Sequence, residues 1–327
     1  MTSEEGEDMR VGYFLSCEQF RPEELLRQAR VAEEHGFQAL WISDHYHPWT
    51  SAQGQSAFVW SVIGALSQAT SLPVTTAVTC PTVRIHPAVV AQAAATSSVL
   101  LNGRFVLGVG TGEALNEHIL GDAWPEAGVR LEMLEEAVEV IRLLQRGGQR
   151  SHRGRHYTVE NAQLWTLPEE PTPIYVSGFG PKAVETAARI GDGYICVQAR
   201  GDLVRRYREA GGKGPAQGGL KVSWAQDEDD AVEQAHRIWP NDVLPGQLPQ
   251  ELPTTRHFEQ ASTLVTPEMV REATPCGPDV GRHVEALRQF RDAGFDDVYV
   301  QQIGSDMDGF FDVYAKEVLP ELAEAGA

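Results

Sequence analysis

The sequence predicts an α/β protein built as a single closed (β/α)8 TIM barrel, and three observations carry that prediction. Short apolar runs of strand length alternate with amphipathic stretches of helical period, which implies parallel strands joined by helical crossovers. Eight such units follow one another, the number that closes a barrel. The 327 residues exceed the usual size of one domain, yet barrels of this kind reach that length as one unit, so a single domain over 1–327 is expected. A doubly wound open sheet is the alternative, since it shares the alternation and differs in closure.

The first strand is read at VGYF (11–14), after which Pro22 opens a helix running to Gly36. Proline suits the first helical turn and glycine the position just past a helix end. QALWIS (38–43) is the second strand and FVWSVIGALSQAT (58–70) the helix behind it. The β-branched PVTTAVT (73–79) is the third strand, followed by a helix over 87–101. RFVLGVG (104–110) is the fourth, with a long helix at about 130–146. PIYVSG (173–178), DGYICV (192–197) and LKVSW (220–224) continue the pattern, with helices over 181–191 and 202–212. DVGRHVEALRQFRDAG (279–294) leads into the last strand, DDVYVQQ (296–302), and a closing helix over 309–326.

Two segments are too long for ordinary connections and are read as insertions, after strands four and seven, near the active face. Residues 147–172 hold a basic turn and alternating residues that suit a hairpin; residues 225–275 are rich in proline and poor in periodicity.

The bulk chemistry narrows the partners. Hydrophobic content of 42% and charged content of 22% describe a soluble globular chain, while a formal charge of −19 argues against nucleic-acid and anionic-membrane surfaces. A small-molecule substrate is expected instead. Cysteines 17, 80, 196 and 276 form no C-x-x-C pair, so neither a disulfide framework nor a zinc site is expected. The acidic start MTSEEGEDMR is no signal peptide, and no apolar run reaches the roughly 18 residues of a membrane span; a cytoplasmic location is expected.

In a barrel the chemistry sits on loops at the C-terminal strand ends. Asp44, His45 and Trp49 follow strand two. Val78, Thr79 and Cys80 end strand three. Glu113 and Asn116 follow strand four in GTGEALNEH, strand five ends in SGFGP and strand eight in QQIG. Simpler readings exist for each. GVGTGE (108–113) resembles a dinucleotide loop, but Glu113 stands where the third glycine is needed. His45 and His47 are spaced i, i+2 on a loop, which defines no metal site, and none is expected. Glu113 alone suits a helix N-terminus, and Trp49 alone suits a core. No G-x-S-x-G or Cys–His pattern supports covalent catalysis.

Taken together, SDHYHPW, PTVRIHPAVVAQAAAT, GRFVLGVGTGEALNEH and WPEAGVRLEMLEEAVEVIRLL resemble the luciferase-like barrel superfamily. More narrowly they are similar to its coenzyme F420-dependent branch, the group around F420-dependent glucose-6-phosphate dehydrogenase, and the likeness extends through TPCGPDVGRHVEALRQFRDAGFDDVYVQQIG. The resemblance implies an oxidoreductase that exchanges a hydride between a CH–OH group and the deazaflavin F420. It implies that His45 is the base for the substrate hydroxyl, that Trp49 lines the reaction centre, and that Glu113 is the acid that protonates the ring. Histidine and glutamate are then expected on opposite sides of that ring. Asp44 and Asn116 match cofactor-holding residues, and Ala77–Val78 matches a bulged strand end with a non-proline cis peptide. Cys80 replaces the family's usual threonine beside it. Ser177, Gly178 and Gly180 match the cofactor phosphate region. The sugar-phosphate enzymes carry Thr and Lys after strand six, whereas Val197, Gln198, Ala199 and Arg200 stand here. A substrate other than glucose 6-phosphate is therefore expected. An FMN-dependent monooxygenase and a non-catalytic ligand-binding barrel are the alternatives; homodimers are common in the group, which makes one the default.

Overall fold

The structure, a computed structural model, describes residues 9–323. Eight parallel strands close on themselves: β1 (Arg10–Leu15), β2 (Leu40–Ile42), β3 (Val74–Thr76), β4 (Phe105–Val109), β7 (Ile174–Ser177), β8 (Gly193–Cys196), β9 (Ala216–Val222) and β10 (Asp297–Gln302). The order around the barrel is β1-β10-β9-β8-β7-β4-β3-β2, so the alternation resolves to a closed barrel and the open sheet is excluded. The two remaining strands, β5 (Arg150–Arg153) and β6 (Thr158–Ala162), form the antiparallel hairpin expected of the first long segment. Among the described residues no helix is long and apolar enough to cross a membrane.

Alternation along each strand splits the core in two. One face packs Val74, Phe105, Leu107, Val298 and Val300 against the surrounding helices. The other fills the barrel: Trp41 stacks on Tyr299 with ring centroids 4.4 Å apart, and Phe14 meets Trp41 edge-on at 5.5 Å. Trp41 Nε1 donates to Gln217 Oε1 at 2.9 Å, and Gln217 Nε2 donates to Asp297, which Arg10 holds at 2.7 Å. This network closes the N-terminal end of the barrel, so the open end is the one with the C-terminal strand tips.

Two differences from the sequence reading have physical causes. Strand β9 begins at Ala216 rather than Leu220, because Gly218 and Gly219 break its apolar pattern. A Cβ on Gly219 would lie 2.3 Å from the Trp41 ring, so the indole occupies the space of the missing side chain. Strand β3 stops at Thr76 because its pairing with β4 slips: Thr75 pairs with Val106, but Thr79 bridges to Val109, four residues answering three. The extra residue is a bulge, and the Ala77–Val78 peptide within it is cis.

The insertions also take definite form. The hairpin starts beyond the C-terminus of the helix Ala127–Gln145, at the far end of the barrel from the strand tips. It returns along that helix, where Glu136 accepts from the backbone N–H groups of Arg155, His156 and Tyr157, and Tyr157 Oη donates to Thr82 O at 2.9 Å. The segment after β9 is a run of short helices, Glu228–Ile238, Leu248–Glu251, Thr255–Ser262 and Pro267–Ala273, joined by the 3₁₀ turn Pro240–Val243. Its Phe258, Trp239 and Leu244 share an apolar cluster with Trp49, Leu115 and Ile303, so it covers part of the barrel mouth.

Candidate active site

The centre of the mouth is His45, on the loop after β2. Its Nδ1 is tied to Glu18 Oε1 by a short hydrogen bond, and its Nε2 lies 3.7 Å from Glu113 Oε2. Glu18 sits on the loop after β1, with a side chain only 1% exposed, and Ser16 and Ser43 donate to its other oxygen at 2.7 and 2.8 Å. Burial alone raises a carboxyl pKa, but here the charge and hydrogen bond of His45, helped by Ser16, pull Glu18 down to about 2. Burial likewise pulls an imidazole down, yet the Glu18 charge and hydrogen bond, then Glu113 and Asp44, carry His45 up to about 9. The pair is therefore an imidazolium–carboxylate at neutral pH, with Nδ1 committed to Glu18 and Nε2 facing the open side.

Glu113 stands at the N-cap of the four-residue helix Ala114–Glu117 but makes no capping hydrogen bond with its side chain. Its carboxylate is turned to His45 and is 25% exposed, so helix capping does not account for it. The 3.7 Å separation leaves no space for a stacked ring, which needs about 7 Å between groups on its two faces. The expectation of histidine and glutamate on opposite sides of a ring is thus not the geometry seen; His45 stands directly between the carboxyl groups of Glu18 and Glu113. Trp49 meets the His45 ring edge-on at 5.2 Å and Phe258 at 5.0 Å, which fixes the imidazole plane from the inserted helices.

The other residues singled out from sequence lie on the same rim. Asp44 is buried and occupied: Thr79 Oγ1 donates to it at 2.8 Å and Arg84 Nη2 at 2.9 Å. Arg84 also engages Glu117, whose carboxyl burial pushes up against the pull of the guanidinium. One buried guanidinium therefore binds two carboxylates from the loops after β2 and β4. Asn116 Oδ1 accepts from Tyr46 N and His47 N, both at 2.9 Å, which shapes the His45 loop. Its Nδ2 is buried without a partner. Cys80 packs under Gly112, where a Cβ would come within 2.6 Å of Sγ. Ala77 and Val78 border the barrel filling, and a Cβ on Gly110 would lie 2.7 Å from Val78 Cγ2.

Ser177 ends β7, and Gly178 and Gly180 lead into the helix Pro181–Ile190. A Cβ on Gly178 would strike Ala183 at 2.9 Å, whereas the space around Gly180 is open. No side chain caps this helix, so its first N–H groups remain available to an anion.

Glu18 and Arg84 escaped the sequence reading. Glu18 lies three residues beyond β1, so extending the strand-end rule to the first strand finds it. Arg84 sits in PTVRIHP with no spacing that distinguishes it from a surface arginine; only its 6% side-chain exposure between two carboxylates does.

The fold and this rim are those of a (β/α)8 barrel whose polar groups gather at the C-terminal strand ends, where barrel enzymes carry their chemistry. A family model described as luciferase-like monooxygenase matches residues 9–297, and the chain belongs to that family. It is 34% identical over 328 positions to an F420-dependent glucose-6-phosphate dehydrogenase from Microbacterium testaceum (strain StLB037), covering 96% of this chain and 97% of that one. Among solved structures it is similar to an F420-dependent secondary alcohol dehydrogenase in complex with an F420-acetone adduct, with a TM-score of 0.88, 32% identity, and coverage of 97% and 99%. The coenzyme F420 dependent tetrahydromethanopterin reductase from Methanopyrus kandleri shares the fold at a TM-score of 0.77 and 20% identity, over 97% of this chain and 100% of that one.

Proposed function

We propose that this chain is a coenzyme F420-dependent oxidoreductase that moves a hydride between the deazaflavin and a secondary alcohol, hemiacetal or corresponding carbonyl. The observation that carries the proposal is the imidazole of His45 held between buried Glu18 and half-open Glu113. Relatives at 32–34% identity over nearly the whole chain use F420, which favours it over FMN.

Two features fit the group. The orphaned Nδ2 of Asn116 needs an acceptor, and the uncapped helix after Gly180 suits a phosphate. Asn116, the Ala77–Val78 bulge, Cys80, Ser177, Gly178 and Gly180 would hold it, with Asp44 fixing the loop beside them. When bound, the deazaflavin supplies a ring carbon that accepts or releases hydride. His45 Nε2, when neutral, takes the proton of the substrate hydroxyl; when charged, it returns that proton to a carbonyl oxygen. Glu18 keeps the Nδ1 proton in place and favours the charged form. Glu113 exchanges a proton across the short gap to Nε2, and Trp49 excludes water on the third side. With His45 charged at neutral pH, carbonyl reduction is the direction the free site favours. We further place the protein in the cytoplasm, as one catalytic domain in a homodimer. Exposed Val89, Val99 and Leu100 on the helix Pro87–Leu100 support pairing, and light scattering tests it.

Titrating the protein with F420 and with FMN, followed by ring fluorescence, tests the cofactor. Loss of deazaflavin absorbance with a secondary alcohol tests the reaction. Binding of FMN in place of F420, or of neither, overturns the reading.

A further inference from the structure

Strand β10 carries an unexplained polar side chain into the barrel. Asp297 and Tyr299 point inward, where both bond Gln217, so Gln301, two residues on, faces the same interior one step nearer the open end. Gln301 is 1% exposed, yet neither its amide nitrogen nor its amide oxygen has a hydrogen-bond partner. A buried primary amide with every site unmet is unfavourable by more than one ordinary hydrogen bond, and native structures rarely keep one without a ligand or water to fill it. On one side stands β1, whose following loop bears Glu18; on the other, β9 pairs Lys221 with Gln301 in register. Ile303, at the end of the same strand, shares the apolar cluster of Trp49. Gln301 therefore lies on the half of the mouth opposite the β3 bulge and Asn116.

The charges around it are spent. Lys221 Nζ is bound to Asp242 at 2.8 Å and lies over the Trp239 ring at 4.4 Å. Arg200, after β8, is exposed and paired with Asp202. Glu18 and Glu113 add negative charge to the mouth, and the two cations nearest in strand order are already paired. An unmet amide, by contrast, offers a donor and an acceptor together, and a hydroxyl group answers both.

We propose that Gln301 selects the substrate by hydrogen-bonding a second hydroxyl beside the reacting carbon, so that the substrates are neutral diols, polyols or hydroxyketones without a phosphate or carboxylate. This rests on the F420-dependent reaction proposed above.

The test compares wild type with Gln301→Met and Gln301→Leu, each loaded with F420, on 2,3-butanediol and on 2-butanol. Wild type should prefer the diol; the variants should lose about tenfold or more in kcat/KM for the diol and stay within about twofold for 2-butanol. Because the amide makes no internal bond, the unliganded variants should melt no lower than wild type. Equal losses on both alcohols, no loss on the diol, or failure of both variants to fold overturns the role of Gln301. Fluorescence titration with F420 separates the two levels: if wild type does not bind F420, the function reading falls and takes this inference with it. If F420 binds and the diol is not preferred, this inference alone falls.

Discussion

Replacing Glu18 with Gln keeps the shape of the His45 clasp and removes its charge. In the intact site His45 is held at about 9 against an ordinary 6.5, and Glu18 is pulled from 4.5 to about 2. Each shift runs against burial, so the attraction between the two groups outweighs the loss of water around both. Alcohol oxidation requires neutral His45, so at pH 7.5 only about one wild-type molecule in thirty is ready, and kcat/KM should climb with pH until about 9. In Glu18→Gln the main opposition to burial is gone, and the limb should move down by about two pH units. Carbonyl reduction requires the charged form and should show the reverse: wild type keeps its rate to about pH 9, while the variant loses it from near neutrality. Steady-state kcat/KM profiles in both directions, read by deazaflavin absorbance, measure the two limbs. Superimposable limbs in wild type and variant would refute the assignment of His45 as the titrating group and Glu18 as its cause.

His45→Gln, which leaves a donor for Glu18, should cut turnover by about 10²–10⁴ while F420 titrates as in wild type; retained turnover would remove His45 from the proton path. The Glu18–His45 pair should also mark the pH dependence of stability. The raised histidine contributes fully below 6.5 and loses its contribution through about 9; the depressed glutamate contributes fully above 4.5 and loses it towards about 2. The Tm gap between wild type and Glu18→Gln should therefore be widest between 4.5 and 6.5, as differential scanning calorimetry over pH would show. Arg84→Met strands Asp44 and Glu117 in the interior and should cost about 3–5 kcal/mol in denaturant unfolding; a loss below about 1 kcal/mol would mean the carboxylates find other partners. A phosphorylated substrate should gain no more than about tenfold in kcat/KM over its neutral analogue, since tenfold is about 1.4 kcal/mol and a well-placed phosphate contact gives more.

The barrel was legible because its evidence is periodic: each strand repeats every two residues and each helix every three or four, over the whole chain. What failed locally did so where a large ring substitutes for a side chain, as Trp41 does for Gly219, or where a strand gains a residue, as at Ala77–Val78. Among the site residues, His45, Trp49, Glu113 and Asn116 stood out because polar groups clustered on two strand ends. Glu18 stayed hidden in LSCEQF, as its partner is 27 residues away and only the barrel's closure brings β1 and β2 side by side. The face-to-face distance of His45 and Glu113 depends on how two loops approach, and no spacing within either loop encodes it.

The Arg84 clamp has a consequence for how this enzyme can change. By gripping Asp44 and Glu117 at once, while Thr79 grips Asp44, it welds three of the mouth's turns into one block beside His45. Among the described residues, neither the inserted helices of 225–275 nor the tip of β10 forms an ion pair with Asp44, Arg84 or Glu117. Mutational libraries over those two regions that leave Phe258 and its contact with Trp49 in place should therefore reach new alcohols without dismantling the reaction, whereas libraries over the block should yield mostly insoluble chains.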